Sequence, residues 1–112
     1  MKRLVITYTY RIRAEHRERY LAALTRIRDN AMRLGCLSYI ASEDDQSLSL
    51  FTETLIYESW LAYEIAGRQG LDPTMEEIFE RFEDWIEGGM KSIETRFSTL
   101  HVSAITEELN VS

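Results

Sequence analysis

Residues 4–10, LVITYTY, alternate: Leu4, Ile6, Tyr8 and Tyr10 fall on one face and Val5, Thr7 and Thr9 on the other, the period and β-branched content of a strand. From Glu15 the period changes. Tyr20, Leu24, Ile27, Ala31 and Leu34 follow at steps of four, three, four and three, one helical stripe, and Gly35 supplies the stop because a residue without Cβ takes the left-handed conformation that closes a helix. CLSYIAS (36–42) predicts a second strand, EDDQ (43–46) a polar turn and LSLFTETL (48–55) a third strand, together a hairpin. In YESWLAYEIAGRQ (57–69) Ser59 is the N-cap of a short helix running to about Arg68, before Gly70. Asp72-Pro73 opens another helix, striped by Met75, Phe79, Phe82 and Ile86 and ended by Gly88-Gly89. Residues 90–102 make the last strand, where Ile93, Phe97 and His101 share a face.

The order β-α-β-β-α-α-β predicts an α+β, ferredoxin-like domain, a four-stranded antiparallel sheet with its helices on one face. The other face should meet water, yet no register makes it fully polar. Strand one offers either Val5 with threonines or four large apolar residues, and strand two either Leu37 with Tyr39 or Cys36 with Ile40. A half-apolar open sheet predicts a homodimer joined through that face. The single domain is expected over residues 1–103, with 104–112 as a tail or an arm across the dimer mate.

Composition narrows the partners. The net charge of -6 argues against nucleic acid, whose binding depends on clustered Lys and Arg. The charge is also divided. Residues 1–33 carry nine basic and three acidic groups, and residues 34–112 four basic and sixteen acidic groups. Arg17, Arg19, Arg26, Arg28 and Arg33 on one helix and Glu76, Glu77, Glu80, Glu83, Asp84 and Glu87 around another fit neighbouring helices with complementary solvated faces. No apolar run approaches the about 20 residues of a membrane span, and the amino-terminal run is too short and polar for a secretory signal, so a soluble, cytoplasmic protein is expected. Cys36, the only cysteine, reads as a small buried strand residue, not a metal ligand.

The helix opening EHRERY (15–20), the segment LGCLSYIAS (34–42) and the strand that runs into YESW (57–60), in this order and spacing, resemble the antibiotic biosynthesis monooxygenase family of dimeric α/β-barrel proteins over about residues 4–100. The resemblance implies sheets paired between two subunits and a pocket between sheet and helices in each. It implies oxidation of electron-rich aromatic or quinol-like compounds by dioxygen without metal or flavin. Other relatives degrade heme, isomerise substrates or have no known activity, and the fold does not choose among them.

Trp60 matches the family's tryptophan at the strand-to-helix entry, often a pocket residue. Many relatives carry a histidine about nine residues further on, where this chain has Gln69, which neither takes a proton at neutral pH nor replaces imidazole on heme iron. The heme-degrading branch also uses a first-strand asparagine that LVITYTY lacks, so heme degradation is not expected. Cofactor-free oxygenation needs only a base or hydrogen bonds to form the substrate anion and an apolar cavity around it. The candidates for catalysis are Trp60, His101 and His16; both histidines also read as surface, capping or packing residues. Tyr57, Tyr63, Gln69, Tyr39 and Tyr8 are candidates for substrate contact, and the aromatic ones read equally as core. Leu61 and Ile65 would anchor the helix to the sheet. Two functions follow: a cofactor-independent monooxygenase of a small aromatic or quinol-type compound, or a non-catalytic dimeric module binding a small apolar ligand.

Overall fold

The computed structural model describes residues 2–101 of the 112. The expected arm at 104–112 lies outside the described residues. Nine elements run in order: β1 (Arg3–Arg11), a 3₁₀ turn (Ala14–His16), α1 (Arg17–Arg33), β2 (Ser38–Glu43), β3 (Leu50–Tyr57), α2 (Trp60–Gln69), α3 (Pro73–Trp85), a second 3₁₀ turn (Met90–Ser92) and β4 (Glu94–Leu100). The strands form one sheet in the order β2-β3-β1-β4, every neighbouring pair antiparallel. This is the ferredoxin-like α+β plan that the periodicity predicts.

Register settles which face of each strand is inside. Leu4, Ile6, Tyr8 and Tyr10 of β1 pair with Tyr57, Leu55, Glu53 and Phe51 of β3. Because side chains alternate, these eight share one face, and burial identifies it as the inner one, with Tyr10, Ile6 and Phe51 at most 3% exposed. Tyr39 of β2 pairs with Leu55 and joins them. The opposite face carries Val5, Thr7 and Thr9 against Ile56, Thr54 and Thr52, with a Thr9–Thr52 hydroxyl contact of 3.1 Å.

The inner face packs on α1 and α3 at one end, where Tyr20, Ile27, Phe82 and Trp85 join Tyr10 and Phe51 in a single buried cluster. Leu4, Ile6, Leu55 and Tyr57 form a second cluster with Ala31, Cys36 and Ala66. Asp72 caps α3, accepting from the Met75 N–H at 2.8 Å, and Ser59 caps α2, accepting from the Ala62 N–H at 3.1 Å. Gly35 closes α1 at φ +105°. Gly89, at φ +76°, leaves room that a Cβ would deny to the Glu83 carboxylate, which accepts from the Met90 N–H at 2.8 Å.

Several boundaries depart from the pattern. Ile86 is not in the α3 stripe; it is extended, fully buried, and bridges Ile12, so the helix ends a residue early to complete a backbone ladder. β2 starts at Ser38 because Cys36 and Leu37 are spent on the turn that leaves α1, where the Cys36 N–H reaches the Ala31 carbonyl. The hairpin turn extends through Ser49, whose φ of 65° is held by its N–H donating to Glu43 at 2.6 Å. β4 begins at Glu94 because Met90–Ser92 form a 3₁₀ turn. Leu61 and Ile65 do not anchor α2: they are 61% and 42% exposed, and the helix docks through Tyr63 and Ala66. The basic and acidic helices do lie side by side, α1 against α3, with Arg33 to Asp72 at 3.9 Å linking them.

Candidate functional site

Between the inner sheet face and the helices is a cavity of about 470 Å³. Its volume lies in the about 300–1,000 Å³ range of small-molecule sites. The sheet contributes Tyr8, Tyr10, Tyr39, Glu53, Leu55 and Tyr57 to the floor. α1 supplies Ile27, Asn30 and Ala31, α2 supplies Tyr63 and Ala66, and α3 supplies Met75, Phe79 and Phe82. Met90 and Ile93, brought over by the Gly88-Gly89 turn, close one side. Phe79, 45% exposed, stacks on Phe82 instead of completing the α3 core stripe.

One ionisable acid stands in this apolar space. Glu53 is 6% exposed, and its two oxygens are held separately: Tyr39 OH donates to Oε1 in a short hydrogen bond, and Tyr10 OH donates to Oε2 at 2.7 Å. A hydroxyl has one proton, so Tyr10, having given its own to Glu53, accepts from Tyr20 OH at 2.8 Å. The chain of donors therefore runs Tyr20 to Tyr10 to Glu53. Loss of water on burial raises the proton affinity of Glu53 above the ordinary carboxylate range, and the Tyr39 and Tyr10 hydrogen bonds pull it partly back. The same burial, with the Glu53 charge beside them, holds Tyr10 and Tyr39 as neutral phenols. Tyr8 is raised by burial and by Tyr63, and burial pushes Tyr57 up to about 12.

Of the residues singled out from the sequence, the cavity gathers Tyr8, Tyr39, Tyr57 and Tyr63. Trp60 stands outside the lining, 52% exposed, with its ring 6.0 Å from Tyr63 and 5.0 Å from Phe97, so it touches the cavity only through Tyr63. Gln69 is exposed at the end of α2. His16 lies outside the lining, its ring 6.4 Å from Trp85 and its Nδ1 3.1 Å from the Arg19 guanidinium. His101 is exposed just past β4. Neither histidine lines the cavity.

Glu53 is the residue that pattern reading passed over. Its signal was present: in LFTETLIY, Phe51, Glu53, Leu55 and Tyr57 share one strand face, and a carboxylate on an apolar face is the informative exception. Cys36 is buried as expected, its thiol raised by burial and pointing at the Ser38 and Ile56 carbonyls. Among the described residues no three His, Cys, Asp or Glu side chains cluster to hold a metal ion, and no helix is long and apolar enough to cross a membrane.

No protein-family model matches the chain, and no curated protein matches it. Solved structures do. One from Bacteroides thetaiotaomicron, named as a candidate antibiotic biosynthesis monooxygenase, superposes with a TM-score of 0.70 at 22% identity, over 89% of this chain and 90% of its own. A Chloroflexus aurantiacus protein named in the same way gives 0.66 at 16% identity, over 89% and 94%. A third, from Bordetella bronchiseptica, gives 0.70 at 11% identity, over 91% and 100%. The chain therefore carries the fold of structures named for antibiotic biosynthesis monooxygenases, over about nine-tenths of its length.

Proposed function

We propose that the protein is a cofactor-independent monooxygenase that oxidises a small aromatic or quinol-type compound with dioxygen inside the helix–sheet cavity. The observation that carries this reading is the cavity itself: apolar and aromatic walls around one buried carboxyl group. Such walls hold a flat ring and keep water from a reactive carbanion or peroxide, and a single base suffices to make the substrate anion. That anion is the reductant. For a quinol the balance closes: the two hydroxyl carbons become carbonyls, one ring C–H becomes C–OH, and dioxygen gives one atom to the ring and the other to water. The names of the structural neighbours, antibiotic biosynthesis monooxygenases, support the monooxygenase part of this reading. Pairing of two copies through the open sheet face belongs to this reading, with Val5 and Ile40 as its apolar part. A sedimentation mass of one 13.1 kDa chain at micromolar concentration would remove the pairing.

The test is oxygen consumption with a dihydroxynaphthalene, read against the protein-free rate. Uptake above that rate with formation of the hydroxyquinone is expected. A second reading, a paired module that binds an apolar small molecule without reaction, draws on the lack of any histidine in the cavity lining. Its signature is binding of an apolar fluorescent probe with oxygen uptake no faster than buffer.

A further inference from the structure

We propose that Glu53 is the polar anchor of the cavity: its carboxylate accepts the hydroxyl of the bound aromatic molecule and serves as the acceptor for that proton. The inference rests on the reading above and deepens it by selecting hydroxylated arenes over their O-methylated counterparts.

The argument starts from unused bonding capacity. A carboxylate has about four acceptor positions. Tyr39 and Tyr10 fill one on each oxygen, and among the described residues nothing else donates to Glu53. Both phenols approach as donors, so the group that faces the cavity is an acceptor, the one carboxylate in a floor otherwise made of tyrosines and Leu55. A ligand that brings its own O–H satisfies that acceptor; one that brings a methoxy group leaves a buried acceptor unpaired, which is where specificity is sharpest. The surroundings are set for a neutral partner. The titratable groups facing Glu53 are Tyr8 and Tyr10 on β1, Tyr39 on β2 and Tyr20 on α1, while α2 presents Tyr63 and α3 only apolar side chains. No cation stands among them to hold the carboxylate permanently ionised. Proton transfer breaks the substrate O–H bond and forms Oε–H, with no change in oxidation state; the electrons leave later, from the arene anion to dioxygen. Tyr39 and Tyr10 are positioning residues that fix both oxygens and set how readily Glu53 gives up its proton.

The experiment compares 1-naphthol with 1-methoxynaphthalene, first by binding under nitrogen and then by oxygen uptake. Wild type should bind naphthol at least about tenfold more tightly than the ether, and the preference should grow as rising pH ionises Glu53. Glu53→Gln, which keeps an acceptor oxygen but takes no proton, should bind naphthol within about threefold of wild type, lose that pH dependence and slow oxygen uptake by about 100-fold or more. Tyr39→Phe removes a hydrogen bond that favours ionised Glu53, so the acid limb of the rate profile should move to higher pH, a shift that loss of packing alone does not produce. Equal affinity for the two ligands in wild type, or undiminished uptake in a folded Glu53→Gln, would overturn the proposal. Naphthol preference with its pH dependence but no oxygen uptake would leave the Glu53 subsite standing and remove the oxygenase.

Discussion

Two groups of aromatic residues sit on the same side of the same sheet and have opposite fates. Under α1 and α3, Tyr10, Tyr20, Phe51, Phe82 and Trp85 are all 5% exposed or less, ring against ring, with Tyr20 and Phe51 4.6 Å apart. Under α2, at the β4 edge, Trp60 and Phe97 are 52% and 46% exposed, although their rings are 5.0 Å apart. The difference lies in what covers them. α1 and α3 together roof the β1–β3 centre, whereas the 10-residue α2 leans on the sheet through Tyr63 and Ala66 and leaves β4 almost bare. The cavity is lined by Tyr10 and Phe82 of the first group and meets the second through Tyr63, so one group is its foundation and the other its outer edge.

The comparison breaks if foundation and outer edge respond alike to truncation. Phe82→Ala should have the largest effect, about 3–5 kcal/mol of lost stability by urea denaturation, because it leaves a void among Tyr10, Tyr20 and Trp85. Glu53→Gln comes next and is read through pH. Glu53 binds its proton more tightly folded than unfolded, so its contribution to stability is complete below the unfolded pKa and is lost as pH rises through the folded one. Wild type should therefore weaken relative to Glu53→Gln as pH rises above the ordinary carboxylate range, and a constant difference between them would contradict a raised Glu53. Tyr20→Phe sharpens the picture at the level of one bond: Tyr10 loses its donor, at a cost of about 1–2 kcal/mol by denaturant midpoint. Trp60→Ala should be the mildest, about 1 kcal/mol or less, since half of the indole is already in water. Its effect on oxygen uptake passes through Tyr63 and should be smaller than that of Glu53→Gln.

The architecture was legible because period-two and period-3.6 patterns report local geometry directly. The caps at Ser59 and Asp72 and the stop at Gly35 are equally local, each a backbone group answered by a nearby side chain or by a missing Cβ. The site was legible only as a set of tyrosines. Tyr8 and Tyr39 reach the cavity because Leu4 pairs with Tyr57 and Tyr39 with Leu55, and a slip of one residue would turn both to the other face. The spacing of Ile86 fits the α3 stripe, but the ladder with Ile12 that holds it joins positions more than seventy residues apart.

The amino-acid order on its own determined the succession of strands and helices, the caps at Ser59 and Asp72, and the apolar sides that make one layered α+β domain, because each depends on neighbours within a few residues. Strand pairing decided the rest. It set Glu53 opposite Tyr8 and next to Tyr10 and Tyr39, drew Tyr20 in from α1, and left Trp60 at the edge, since burial and hydrogen bonding are properties of what converges in space and of how little water remains there.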